Sequence, residues 1–290
     1  MAARIIDGKQ IAAEVRRHVA DRVAEVRTRT GGRSSARLDA VLVASGPDDP
    51  SVVYAENQAR TCAELGIEYR LHRLDADANF EDIAGRVLLL NTDPLVRAIM
   101  VHLPLPGGVD HYRVQSLIAP EKDVEGVNPA NIGNIVYGRS SLAPCTALAV
   151  VRMIESTGIA IRGARATVVG ASDHVGKPIA AMLMRPEATV ISCNKHTRGI
   201  EELARSSDIL IAAAGVPGLV KGSWIKPGAV VIDVGIHRVD GPDGKKVTVG
   251  DVVHEEAAKV AGWLSPVPGG VGPVTVAMLL ENVVSAATPR

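Results

Sequence analysis

The stretch TVVGASDHVGKPIA, from Thr167 to Ala180, decides the fold, because it combines an apolar strand, a glycine-containing turn and the start of a helix. Gly170, Ser172 and Gly176 occupy the turn. Glycine lets the backbone approach a pyrophosphate closely, and a helix N-terminus offers free N–H groups and a positive dipole end. The spacing departs from GxGxxG, so a tight strand-to-helix turn without a ligand is the alternative to a dinucleotide site.

The residues after the next predicted strand indicate which dinucleotide the turn would bind. NAD sites usually carry an acidic residue about 20 residues after the glycines, where it holds the ribose hydroxyls. This chain has CNKHTR at 193–198 instead, with Lys195 and His196 at its centre. These cationic groups attract a 2′-phosphate, so we expect NADP, with NAD possible. A solvated basic loop is the alternative for each residue taken alone.

Outward from this turn, short apolar strands alternate with helical segments along the whole chain. The predicted strands are 38–44, 68–74, 98–103, 166–169, 188–193, 208–213 and 229–234. Besides the helix after the glycine turn, the predicted helices are 11–26, 51–65, 80–90, 148–156 and 274–287. The stretch KDVEGVNPANIGN at 122–134 is expected to be rich in loops. The alternation predicts parallel βαβ units, in two α/β domains that meet near residue 147.

Composition argues against several other classes of protein. The 290 residues are 47% apolar and 22% charged, with 32 Lys and Arg against 32 Asp and Glu, which is typical of a soluble protein without a nucleic-acid partner. The longest uncharged apolar run, 209–220, is too short to span a bilayer. Three cysteines lie far apart, without metal-ligand spacing. We therefore predict a cytoplasmic enzyme that binds neither metal nor membrane.

Five polar side chains in the first half of the chain are candidates for chemistry. Tyr54 and Gln58 are four residues apart and share a helix face, His102 follows a predicted strand, and Asp123 and Glu125 lie in the predicted loop. The alternatives are a helix surface, a satisfied structural histidine and two solvated loop acids. None of the five is decisive alone, and their order along the chain carries the argument.

That order resembles the bifunctional methylenetetrahydrofolate dehydrogenase/methenyltetrahydrofolate cyclohydrolase family over nearly the whole chain. The matching stretches are RIIDGKQIA at 4–12, LPLP at 103–106, EKDVEGVNPANIG at 121–133, PCT at 144–146, VVGASDHVGKP at 168–178, VIDVGIHR at 231–238, VGDVVHEEAAKVA at 249–261 and SPVPGGVGPVT at 265–275. The resemblance implies two α/β domains with the folate in a cleft between them. It implies a folate-binding catalytic domain at 1–147, completed by the C-terminal helix 272–290, and a Rossmann-type NADP-binding domain at 148–271.

The resemblance also implies the residues of the site and the oligomeric state. The implied catalytic residues are Tyr54, Gln58 and His102. The implied folate-binding residues are Tyr54, Asp123, Glu125, Pro268, Gly269, Gly270 and Pro273. The implied cofactor-binding residues are Gly170, Ala171, Ser172, Val175, Gly176, Lys195, His196 and Ile236. Family members are typically homodimers, so a homodimer is expected.

Three positions depart from the family pattern where the chemistry is expected. The family has lysine at the position of Gln58, usually glutamine at His102 and usually aspartate at Glu125. A lysine with a lowered pKa can serve as general acid and base in hydrolysis, whereas glutamine has no titratable proton. We therefore expect an NADP-dependent methylenetetrahydrofolate dehydrogenase whose methenyltetrahydrofolate cyclohydrolase step is weak or absent. The alternatives are a fully bifunctional enzyme with His102 as the replacement acid/base, and a folate- and nucleotide-binding paralogue with little catalysis.

Overall fold

A computed structural model of the chain describes residues 2–29, 31, 36–44, 46, 49–139, 142–241 and 244–288. These residues divide into two compact units. One consists of Met1–Glu14 with Pro144–Met278, and we call it the six-stranded unit after its main sheet. The other consists of Val15–Ala143 with Leu279–Arg290, and we call it the three-stranded unit. The two domains expected from the sequence, a folate-binding domain at 1–147 with 272–290 and an NADP-binding domain at 148–271, remain a prediction.

The described elements follow one another in the order that the sequence predicts, with several short additions. The strands are β1 (Arg4–Ile5), β2 (Arg37–Val43), β3 (Glu68–Leu74), β4 (Ala98–Val101), β5 (Arg165–Val169), β6 (Thr189–Cys193), β7 (Ile209–Ala212), β8 (Val230–Asp233), β9 (His237–Asp240), β10 (Lys246–Val249) and β11 (Trp263–Leu264). The helices are α1 (Gly8–Arg29), α2 (Pro50–Glu64), α3 (Phe80–Thr92), α4 (His111–Ser116), α5 (Pro129–Val136), α6 (Cys145–Ser156), α7 (Gly176–Met184), α8 (Ile200–Arg205), α9 (His254–Ala257) and α10 (Val271–Ala287).

The three-stranded unit is built on a parallel sheet in the order β3-β2-β4. Every residue of the central strand β2 is buried, as is usual for a central strand of a parallel sheet. The two charged residues of this otherwise apolar strand, Arg37 and Asp39, form an ion pair at 2.7 Å. One face of this sheet packs a core that includes Val41, Ile83 and Val87. The end of α10 belongs to this unit, where the Asn282 side-chain amide donates hydrogen bonds to the Val124 and Ala143 carbonyls at 2.8 and 3.0 Å.

The six-stranded unit contains a parallel sheet in the order β1-β11-β8-β7-β5-β6. The chain runs from β5 to β6 on one side and then returns to β7 on the other side. Such a reversal opens a crevice at the carboxyl ends of the strands, where α/β sheets bind ligands. The predicted α/β fold class is thereby confirmed.

Some local elements were not predicted from the sequence. The loop-rich stretch 122–134 contains the start of a helix, because α5 begins at Pro129. The Asn128 side chain accepts a hydrogen bond from the Ala130 N–H, and proline suits the first helical position, so this sequence starts a helix. The antiparallel hairpin of β9 and β10 was not predicted. Within the described ranges, no helix combines the length and apolar character needed to cross a membrane.

Candidate functional site

The glycine turn after β5 has the tight geometry that a dinucleotide site needs. Gly170 adopts a φ of 116°, and a Cβ at this position would lie 2.0 Å from the Ala213 carbonyl oxygen. A Cβ on Gly176 would lie 1.8 Å from the Gly170 carbonyl oxygen. Only glycine therefore permits this close packing of strand, turn and helix, which is the role that glycines have in dinucleotide-binding turns.

The N–H groups that this turn offers are not those predicted from the sequence. The Gly176 N–H donates to Ser172 Oγ at 3.3 Å, the Lys177 N–H donates to the Ser172 carbonyl at 3.0 Å, and Pro178 has no N–H. The expectation of free N–H groups at the start of α7 was therefore wrong for these residues. In the described chain, the N–H groups of Ala171 and Ser172 make no hydrogen bond, so the available donors precede the helix.

The basic turn after β6 lies beside the glycine turn. β5 and β6 pair in parallel register, and the Gly170 N–H donates to the Cys193 carbonyl at 2.9 Å. Lys195 and His196 are exposed in this turn. Asn194 shapes the turn, because its side-chain oxygen accepts a hydrogen bond from the His196 N–H at 2.9 Å. The cationic groups predicted to favour a 2′-phosphate are thus next to the proposed pyrophosphate turn.

A pocket of about 270 Å³ lies in the six-stranded unit. It is lined by Lys9, Asp233, Val234, Gly235, Ile236, Thr248 and the segment 266–273. The structure thus brings together the predicted residues Ile236, Pro268, Gly269, Gly270 and Pro273. Sequence reasoning missed Lys9, although the residue lies in the quoted stretch RIIDGKQIA.

Lys9 is adjacent to the glycines of this pocket. A Cβ on Gly8 would lie 1.9 Å from the Gly270 carbonyl oxygen, so the start of α1 packs directly on the segment. Gly269 adopts a φ of 100°, and Lys9 Cε would lie 3.7 Å from a Cβ there. The pocket therefore combines an apolar glycine and proline wall with one flexible cation.

Two buried aspartates hold the loop that carries Ile236. Asp233 accepts hydrogen bonds from the N–H groups of Gly235, Asp251 and Val252 at 2.9–3.0 Å. Burial is the main cause that raises the pKa of Asp233 to about 6. The Asp251 carboxylate in turn lies 2.7 Å from His237 Nε2. These contacts join segments far apart in sequence, and we assign them to support of the pocket wall.

In the three-stranded unit, α2 and β4 bring together the three predicted catalytic residues. Tyr54 is 55% exposed, whereas Gln58, one turn later on α2, is 7% exposed. The imidazole of His102, directly after β4, is 4% exposed and lies edge-on to the Tyr54 ring, with centroids 5.9 Å apart. Gln58 Oε1 is buried and has no hydrogen-bond partner among the described residues. An unsatisfied buried amide oxygen is costly, which points to a ligand as its partner.

His102 has a further partner that the sequence did not reveal. Its Nε2 lies 3.1 Å from the hydroxyl of Tyr69, which is carried by β3. Burial lowers the pKa of His102 to about 4, so the ring is neutral at pH 7. No local motif marks Tyr69, because its contact with His102 joins residues 33 positions apart.

Glu125 lies close to His102 through the backbone of β4. Its carboxylate accepts a hydrogen bond from the Val101 N–H, while Oε2 is buried and has no partner among the described residues. Burial, with a smaller effect of the Asp123 carboxylate, raises the pKa of Glu125 to about 7. Glu125 is thus a carboxyl group whose second oxygen is available to a ligand.

The Asp123 carboxylate, in contrast, is hydrogen-bonded within the protein. Its carboxylate is fully buried and accepts hydrogen bonds from the N–H groups of Gly126 and Asn128, at 3.1 and 2.7 Å, and from Asn131 Nδ2 at 2.9 Å. These bonds organise the loop that presents Glu125. A contact of Asp123 with substrate, as predicted from the sequence, remains a prediction.

The fold and these sites define a class of protein, an α/β protein with a Rossmann-type dinucleotide-binding unit and a second α/β unit that carries a polar site. Residues 6–125 match the catalytic domain of tetrahydrofolate dehydrogenase/cyclohydrolase, and residues 144–290 match the NAD(P)-binding domain of that family. The chain therefore belongs to the tetrahydrofolate dehydrogenase/cyclohydrolase family, as the sequence predicted.

Individual relatives cover almost the full chain. The bifunctional protein FolD of Moorella thermoacetica is 48% identical over 287 residues, with 99% of each chain covered. The solved bifunctional enzyme FolD from Campylobacter jejuni is 35% identical, with a TM-score of 0.90 and 99% of each chain covered. The Trypanosoma brucei methylenetetrahydrofolate dehydrogenase-cyclohydrolase, solved with NADP and an inhibitor, is 36% identical with a TM-score of 0.89, covering 99% of this chain and 98% of its own.

Proposed function

We propose that this protein oxidises 5,10-methylenetetrahydrofolate to 5,10-methenyltetrahydrofolate with NADP, and that its cyclohydrolase step is weak. The observation that carries the proposal is that the buried side chain where the family has lysine is the Gln58 amide, and that the His102 ring is neutral at pH 7. Gln58 does not titrate. His102, with a pKa of about 4, is protonated in only about one molecule in a thousand at that pH.

The oxidation needs little from the protein beyond positioning. NADP supplies the hydride acceptor when it is bound. The methylene carbon loses a hydride, and the resulting cation is stabilised by the adjacent folate nitrogens, so no side chain has to move a proton. Tyr54, Gln58, His102 and Glu125 are proposed to hold the folate, with Asp123 organising their loop. The segment Pro268–Pro273 is proposed to bind it as well.

The residues of the six-stranded unit fit NADP. Its proposed contacts are Gly170, Ala171, Ser172, Val175, Gly176, Lys195, His196 and Ile236. Support comes from the tight strand-to-helix turn that Gly170 and Gly176 allow and from the adjacent basic turn. The NADP complex of the Trypanosoma brucei relative supports the same assignment.

Hydrolysis of the methenyl group makes a greater demand. Water must add to the methenyl carbon and lose a proton, and a ring nitrogen must gain one as the C–N bond breaks. A positioned acid/base group typically accelerates such steps by about a hundred- to ten-thousand-fold. The Gln58 amide can hold the water or the substrate but cannot carry either proton, so we propose that hydrolysis is slow.

A fully bifunctional enzyme is the second candidate. Relatives of this chain are named bifunctional. The titratable ring of His102 also lies beside the ring of Tyr54, which is one helical turn from Gln58. A neutral imidazole can act as a general base, although a pKa of about 4 makes it a weak one. His102→Gln would then abolish the hydrolytic step, and an unaltered hydrolytic rate in that variant would contradict this candidate.

An assay with methylenetetrahydrofolate and NADP, then NAD, tests the proposal. Absorbance of reduced cofactor and of the methenyl product are followed separately. We expect reduction of NADP with accumulation of the methenyl product. Its loss faster than in buffer would favour the bifunctional candidate. Binding of both ligands without reduction would contradict the proposal and favour a binding paralogue.

We also propose that the protein is a cytoplasmic homodimer. The support is the resemblance to a family of homodimers and the balanced charge of the chain. Sedimentation of the purified chain is expected to give about twice the 30.4 kDa of one chain, and a single-chain mass at micromolar concentration would contradict the dimer.

A further inference from the structure

Tyr69 and His102 form a hydrogen-bonded pair that has no part in the proposed hydride transfer. β3 carries Tyr69 and β4 leads into His102, and these two strands flank β2 in the sheet. The 3.1 Å distance joins the phenol oxygen to Nε2. The backbone of His102 is also held in place, since its main-chain N–H donates to the Val41 carbonyl at 2.9 Å. This backbone bond and the Tyr69 contact at Nε2 together orient the ring.

The numbers of donor hydrogens and acceptor atoms in this pair determine which ring nitrogen of His102 carries the ring hydrogen. A neutral imidazole has one N–H, and a phenol has one O–H. Burial raises the pKa of Tyr69, so its hydroxyl keeps its proton. Within the described chain, the only hydrogen-bond partner of that hydroxyl is His102 Nε2. If Nε2 carried the ring hydrogen, the tyrosine proton would have no protein acceptor.

The arrangement that uses both protons has the Tyr69 hydroxyl donating to a bare Nε2. The ring hydrogen is then on Nδ1, and Nδ1 makes no hydrogen bond to any residue that the structure describes. The site thus contains an unpaired N–H donor on a fixed ring, next to the Tyr54 ring. Folate derivatives are rich in carbonyl and ring-nitrogen acceptors, which are the partners such a donor requires.

We infer that Tyr69 is a positioning residue that holds His102 as a neutral Nδ1–H donor to the bound folate. The inference rests on the proposed folate site and deepens it. His102 then contributes substrate binding and orientation instead of proton transfer, a task that a glutamine amide can also perform.

Nitrogen-15 NMR of the full chain, with its histidine rings labelled with nitrogen-15, measures the tautomer and the charge of the His102 ring. The His102 signals are assigned by their loss in His102→Gln. We expect the spectrum of a neutral ring with hydrogen on Nδ1 at pH 7, and Tyr69→Phe is expected to mix the two tautomers. A ring with hydrogen on Nε2, or a charged ring, would overturn the inference. This readout needs no turnover, so it stands even if the dehydrogenase proposal fails.

A double-mutant cycle tests the consequence for the substrate. Tyr69→Phe is expected to lower kcat/KM for methylenetetrahydrofolate about 3- to 10-fold, mainly through KM, as loss of one oriented hydrogen bond predicts. In the His102→Gln background, the same change should alter kcat/KM by less than about twofold. Tyr112→Phe, at an exposed tyrosine, is the control for both. An equal loss in both backgrounds would assign Tyr69 a purely structural role and overturn the inference.

Discussion

Gln58 is the residue at which one substitution has the largest expected effect on the reaction. A lysine placed here, on a position with 7% exposure, would have a lowered pKa because burial disfavours its charged form. We predict that Gln58→Lys raises the cyclohydrolase rate about a hundred- to ten-thousand-fold and changes the dehydrogenase rate much less. Gln58→Met keeps the length without a titratable group and should give no gain. Equal hydrolytic rates for the lysine and methionine variants would show that position 58 does not limit hydrolysis.

Glu125 gives a pH-dependent prediction about stability. Because its pKa is raised to about 7 in the folded chain from an ordinary 4.5, the stability it contributes is present below pH 4.5 and is lost as the pH rises through 7. Glu125→Gln cannot ionise, so between pH 5 and pH 8 it should gain about 2–3 kcal/mol in unfolding free energy relative to the wild-type chain. Urea unfolding at both pH values measures this difference. The exposed Glu25→Gln is the control, and a pH-independent difference for Glu125→Gln would contradict the raised pKa.

At the residue scale, the sequence revealed the groups that follow local rules. Tyr54 and Gln58 were predicted to share a helix face, and α2 carries both. Tyr69 was missed because only the folded sheet brings it to His102, and Lys9 was missed because only the folded chain brings its side chain beside Gly269. Long-range contacts of this kind have no signature in a single sequence.

At the scale of elements, the turn between β5 and α7 depends on two glycines that face each other. A Cβ on Gly176 would lie 1.8 Å from a backbone oxygen, which no side-chain adjustment relieves. Gly176→Ala is predicted to lower the unfolding free energy by about 2–3 kcal/mol and NADP affinity at least about tenfold. Gly85→Ala, inside α3 with open space around it, should instead raise stability by about 0.5–1 kcal/mol. Thermal unfolding and NADP titration of both variants test the contrast, and similar effects would contradict it.

Long helices and strands with a clear sequence pattern were predicted well, and short ones were not. The buried strand β2 and the helix α2 were predicted to within a residue or two, because a stretch that is apolar except for Asp39 marks the strand and a helix-stopping Gly66 marks the end of the helix. β1 and β11 have two residues each, too few for a periodic pattern, and form by pairing with distant strands. α5 was missed because Asn128 and Pro129, which mark its start, are also typical of turns.

At the scale of the whole molecule, the order of strands and helices was sufficient to predict the α/β class. Residues 2–14 belong with the six-stranded unit, since β1 pairs with β11 across more than 250 positions in the chain. That pairing depends on tertiary packing, and a two-residue strand gives no sign of its partner. The glycine turn and the basic segment 193–198 predicted NADP, whereas the expectation of folate came from the family resemblance.

A dinucleotide that binds only the folded chain raises the unfolding temperature of that chain. NADP at about one hundred times its Kd should stabilise the chain by about 2.7 kcal/mol, which is a shift of roughly 5–10 °C for a unit of this size. NAD at the same concentration should give a smaller shift, since it has no 2′-phosphate for the basic turn after β6. Lys195→Ala should reduce the difference between the two cofactors, whereas the exposed Lys259→Ala should preserve it. Scanning calorimetry measures these shifts, and equal stabilisation by NADP and NAD in the wild-type chain would mean that the basic turn does not select the cofactor.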